Sequence, residues 1–107
     1  MTEQQARDFL AALGAEIATW RRRKKLTRAQ LGRLVDVSET TIGRIERGGS
    51  DAAVATSDVW RIAAALGLSF SDLVRRAEDM AELSEDSSTL GAVASTETTI
   101  EPGDLEE

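Results

Sequence analysis

The most constraining feature of this chain is a helical pattern that stops and restarts within three residues, in the stretch "LVDVSETTIGRIERG" from Leu34 to Gly48. Leu31, Leu34 and Val35 have helical spacing and are expected to face inward. Asp36, Val37 and Ser38 do not continue that stripe, and Ile42 and Ile45 resume it. The restart carries Glu39, Thr40 and Thr41, polar side chains suited to meeting another surface. A fold for this chain must therefore reverse direction sharply at Asp36. Aspartate is among the few residues besides glycine that tolerate the left-handed backbone such turns use.

The remaining pattern is helical. Phe9, Leu13, Ile17 and Trp20 form one face of a long first helix ending in "WRRRKK", whose cationic last turn suits the negative end of the helix dipole. Thr27 is placed to cap a second helix over 28–35, and Ser38 to cap a third with Glu39 at its positive end. "RGGSDAAVATS" reads as a loop, after which Ser57 is the expected cap of a fourth helix striped by Val59, Ile62, Ala63 and Leu66 and closed by Gly67. Ser69 and Asp72 make a capping-box-like opening to a fifth helix, whose stripe Phe70, Leu73, Ala77, Met80 and Leu83 carries it to about Ala81 or Leu83. Five helices in one small domain make an all-α bundle.

Composition narrows the function. The chain has 107 residues, one domain's worth, with 41% hydrophobic residues and neither cysteine nor histidine. Disulfides and thiolate chemistry are excluded, and the commonest general base and metal ligand is missing. No paired acid and base, phosphate loop or metal-spaced ligand set is present, so neither an enzyme nor a metal or cofactor site is expected. No apolar run approaches the roughly 20 residues needed to span a bilayer, and the N-terminus lacks a signal-peptide layout, so a cytoplasmic protein is expected.

The net charge of −6 conceals a division. Residues 1–76 hold all 13 Lys and Arg against nine acids, a net +4, whereas residues 77–107 hold ten acids and no base, a net −10. We expect a basic folded domain over 1–83 and an acidic, disordered tail over 84–107, with "VASTETTI" as the one strand-like exception.

A short helix, a tight turn and a protruding second helix form a helix-turn-helix, whose second helix lies in the DNA major groove and reaches base edges about 8.5 Å deep. Here "LTRAQLGRLVDVSETTIGRIERG", followed by "VWRIAAALGLSFSDL", resembles the Cro/C1-type, XRE-like helix-turn-helix family of phage and bacterial repressors over about residues 10–76. The resemblance implies a five-helix lambda-repressor-like bundle that binds a palindromic double-stranded DNA operator as a homodimer.

Carried onto this chain, the resemblance puts Glu39, Thr40 and Arg44 on base edges, with Ser38, Thr41, Arg28 and Arg47 on the DNA backbone. Arg44 can donate twice to guanine O6 and N7, Thr40 can offer its methyl to thymine, and Glu39 can accept from cytosine N4. Glu39 also has a plainer reading as an acid favoured at a helix start. Arg28 stands where the family usually has a glutamine on a phosphate, so a more salt-sensitive contact is expected. The resemblance pairs Arg21 with Glu46 as a structural bridge between the first and third helices. The rest of the basic run, Arg22 to Lys25, reads equally as a DNA patch or a solvated helix end. Trp20 and Trp60 stand where the family has leucine and are expected in the core.

Two positions and one segment depart from the family pattern. Asp36 replaces a glycine, Gly43 sits inside the recognition helix, and residues 49–56 carry no Lys or Arg for phosphates. Gly43 either permits close backbone approach to DNA or marks a helix that firms up on binding. The outer part of the fifth-helix stripe, Phe70, Leu73, Met80 and Leu83, is expected to support the dimer. For the acidic tail two roles compete with inert solvation. One is competition with DNA for the basic face, the other is binding of a basic toxin by an antitoxin that represses its own operon.

Overall fold

The computed structural model describes residues 2–48 and 54–94, with side chains described as far as Leu83. Five helices follow in order: α1 Glu3–Arg23, α2 Arg28–Val35, α3 Glu39–Arg47, α4 Thr56–Ala65 and α5 Phe70–Ala94. The protein is all-α.

Local chemistry sets most of these boundaries. Thr2 and Gln5 form a capping box at α1, and Thr27 and Gln30 form another at α2, each hydroxyl accepting from the backbone N–H three residues on. α2 stops at Asp36, which takes the left-handed conformation at φ 59° and ψ 47° and donates its backbone N–H to the Gly32 carbonyl. Ser38 then caps α3, its Oγ accepting from the Thr41 N–H at 3.1 Å. Gly48, at φ 65°, closes that helix in the left-handed region that glycine enters without steric penalty.

α4 departs from expectation. Its N-cap is Ala55, with no side-chain hydrogen bond, and Ser57 lies inside the first turn. Ser69 Oγ accepts the Asp72 N–H at 3.0 Å ahead of α5. That helix runs to Ala94, past the expected end near Ala81 or Leu83. Val93 and Ala94 of the strand-like stretch are helical, and the rest of it lies outside the described residues.

The core gathers Leu13 and Ile17 of α1, Leu31 and Val35 of α2, Ile42 and Ile45 of α3, Val59 and Ile62 of α4, and Leu73 and Ala77 of α5, with Leu66 closing it. Each fully buried leucine or isoleucine contributes about 1.5–3 kcal/mol. α1 packs on both α3 and α5, and α2 on α3 and α4. The α1–α3 approach is so close that a Cβ on Gly14 would overlap the backbone carbonyls of Ile45 and Glu46. α3 is thus seated backbone to backbone on α1.

Three apolar expectations are corrected. Leu34 is 64% exposed. At about 100° per residue the buried arc of α2 runs from Leu31 through Val35 to Gly32, and Leu34 falls outside it. Trp60 is 62% exposed, because Val59, Ile62 and Ala63 occupy the inner face of α4; its ring tilts against Phe70 at 5.7 Å instead. Leu73 is fully buried within its own bundle and so is not available to a dimer contact.

Candidate nucleic-acid interface

α2, the turn at Asp36 and α3 form one unit, held from below and from the side. Ile42, Ile45 and Glu46 are buried against the bundle, which fixes the rotation of α3 about its own axis. Glu39, Thr40, Arg44 and Arg47 are exposed, and Thr41 is half-buried. Thr40, Arg44 and Arg47 are spaced by four and three residues, so they share one outward face.

Ser38 and Thr41 make a small polar relay at the start of this helix. Ser38 Oγ accepts the Thr41 N–H and donates its own proton to Thr41 Oγ1 at 2.9 Å. The Thr41 hydroxyl proton is thereby left to donate to an outside acceptor.

Beneath α3 lies a buried carboxylate carrying two cations. Arg21 Nε donates to Glu46 Oε2 at 2.6 Å and Arg21 Nη2 to Oε1 at 3.1 Å. Arg21 Nη1 donates to the Leu26 carbonyl at 2.8 Å, tying the α1–α2 link into the same network. Arg28, the first residue of α2, donates its Nε to Glu46 Oε1 at 3.0 Å. The Glu46 side chain is 1% exposed and Arg28 38%. Burial pushes the Glu46 carboxyl up, but hydrogen bonds from Arg21 and Arg28, and their charges, outweigh it and hold the group below its ordinary value.

Sequence reasoning missed two of these arrangements. The Arg28–Glu46 contact had no local signal. Neither had Arg61 on α4, whose Nε donates to the Val35 carbonyl at 3.0 Å while its Nη2 donates to Asp58 at 2.6 Å. Arg61 thereby satisfies a carbonyl at the end of α2, beside the turn. Gly43, left as either a point of close DNA approach or a soft spot, is buried under the arms of Arg28 and Arg47, and its backbone is not an open surface.

The basic run is divided by the fold. Arg21 is buried in the ion pair, Arg23 packs over the Trp20 ring at 4.8 Å from its centroid, and Arg22, Lys24 and Lys25 are exposed. Arg76 of α5 lies over the same ring at 5.1 Å. Of the residues expected at a dimer contact, Phe70 is half-buried against Trp60, and Met80 and Leu83 are 45% and 61% exposed. Among the described residues, no helix is long and apolar enough to cross a membrane.

Comparison with known proteins agrees with this geometry. Residues 12–83 match the family model described as a helix-turn-helix domain. The crystal structure of the clp gene regulator ClgR from Corynebacterium glutamicum superposes with a TM-score of 0.72 at 27% identity, covering 79% of this chain and 88% of that one. No curated protein sequence matches. The chain belongs to the helix-turn-helix domain family, of the XRE-like type, and is a DNA-binding transcriptional regulator.

Proposed function

We propose that this protein is a repressor that reads a palindromic double-stranded DNA operator as a homodimer, with α3 in the major groove. Glu39, Thr40 and Arg44 meet base edges, while Ser38, Thr41, Arg28 and Arg47 meet phosphates. The observation that carries this reading is the division of α3 into a buried face of Ile42, Ile45 and Glu46 and an exposed face of Thr40, Arg44 and Arg47. Repression is the regulatory output that occupancy of DNA delivers without further chemistry. The dimer reading draws on Met80 and Leu83, large apolar side chains exposed on α5.

Selecting bound duplexes from a random library tests it. The expected result is enrichment of two inverted half-sites about 10 base pairs apart, centre to centre, or a multiple of that spacing. Recovery of sequences no different from the starting pool overturns the reading.

A further inference from the structure

We infer that the missing side chain of Gly43 opens a slot in which Arg28 and Arg47 converge on a single DNA backbone phosphate. This deepens the reading of α3 as a groove-entering helix and rests on it.

Gly43 lies in the interior of a nine-residue helix, where glycine is unfavourable relative to alanine. Its φ is not in the left-handed region, so backbone conformation does not require it. What it provides is room. A Cβ at this position would stand 3.3 Å from Arg47 Nη1, 3.5 Å from Arg28 Nη1 and 3.8 Å from Arg28 Cδ. Two guanidinium groups, one from α2 and one from the last turn of α3, therefore close over the same point.

Their terminal nitrogens are within about 7 Å of each other, where like charges repel until an anion stands between them. Among the described residues, Glu46 is the one acid within ion-pairing distance of either group, and it engages Arg28 through Nε. That bond fixes the Arg28 plane while leaving its terminal nitrogens to other acceptors. Arg21 and Arg28 already share the Glu46 carboxylate, so Arg28 brings uncompensated charge to the point where Arg47 meets it. Guanidinium groups match phosphate oxygens with parallel N–H donors. Because the two arms come from different helices, the clamp also fixes α2 and α3 relative to one phosphate, which sets the register of the reading face.

Salt dependence distinguishes one shared phosphate from two separate contacts. Binding of a mixed-sequence 24-base-pair duplex is measured by fluorescence anisotropy across salt for wild type, Arg28→Gln, Arg47→Gln and the double variant, with folding checked by circular dichroism. Each neutralised phosphate adds about 0.9 to the slope of log affinity against log salt. A shared phosphate predicts that the double variant loses about 0.9 per protomer in all, however that loss divides between the two single variants. Gly43→Gln, which fills the slot, is expected to lose a similar slope, and Gly43→Ala to melt a few degrees higher while binding more weakly. A double-variant loss of about 1.8 means two independent contacts and overturns the clamp alone. Unchanged slopes in all variants also overturn it. Wild-type chain that binds no duplex overturns the groove reading and the clamp together.

Discussion

Arg21 and Glu46 meet across 25 residues of sequence through two hydrogen bonds, of 2.6 and 3.1 Å, that lock α1 to the underside of α3. The pair is worth most in what its loss would leave behind. Removing Arg21 strands a buried carboxylate with one partly exposed partner, Arg28, so Arg21→Met is expected to lower stability by about 3 kcal/mol, the lower end for a broken buried pair. Urea denaturation measures this, and a change within experimental error contradicts it.

The same carboxylate makes stability depend on pH in a defined direction. Glu46 is held below its ordinary value of 4.5 in the fold, so the unfolded chain takes up the proton more readily. Its contribution is therefore complete above about pH 4.5 and is lost as pH falls through the folded-state value. Melting midpoints are expected to hold steady above that range and fall below it, with Glu46→Gln showing a lower plateau and a shallower acid fall. An equally steep acid fall in Glu46→Gln would exclude this carboxylate as a source.

The turn offers a stabilising substitution. Asp36 stands at φ 59°, where glycine has no Cβ clash. Asp36→Gly is expected to raise stability by about 0.5–1 kcal/mol with DNA affinity unchanged. Destabilisation in thermal melting would mean that the aspartate side chain itself holds the turn.

The seat of α3 on α1 is the opposite case. Gly14→Ala places a methyl group against the Ile45 and Glu46 carbonyls, which have no freedom to yield as a side chain would. A loss of about 1–3 kcal/mol is expected. DNA affinity should fall as well, because α3 shifts relative to α2. Wild-type stability in this variant would contradict the backbone contact.

The proposed dimer rests on α5. Met80→Lys combined with Leu83→Lys is expected to shift sedimentation toward the monomer while leaving the melting curve of the bundle intact, since both side chains are exposed. A wild-type chain that sediments as a monomer at every concentration, with and without DNA, would contradict the dimer.

What the sequence disclosed follows from how local each determinant is. Thr27, Asp36 and Ser38 act on backbone within three or four residues, so their roles at the ends of α2 and α3 were legible from residue type and spacing. The outward face of α3 followed likewise from Ile42 and Ile45. Leu34 and Trp60 looked like core because they are apolar and near the stripe, but which side of a helix is buried depends on neighbours that sequence does not display. Arg28 with Glu46 and Arg61 with Val35 join residues 18 and 26 apart and leave no local trace. The glycine inside α3 was visible as an anomaly, and only the fold put two guanidinium groups over it. α5 extends beyond Leu83 although the residues that follow carry no apolar stripe of helical period, the signal from which its end was read.

Chemical protection of the selected duplex by dimethyl sulfate tests the central claim most directly, because the reagent reports guanine N7 in the major groove separately from adenine N3 in the minor groove. Wild-type protein is expected to protect guanine N7 positions in both half-sites. Arg44→Ala should lose protection at one guanine per half-site, with affinity lower by about 1–3 kcal/mol. Protection confined to adenine N3, or a guanine pattern that Arg44→Ala leaves unchanged, would contradict a recognition helix beginning at Ser38.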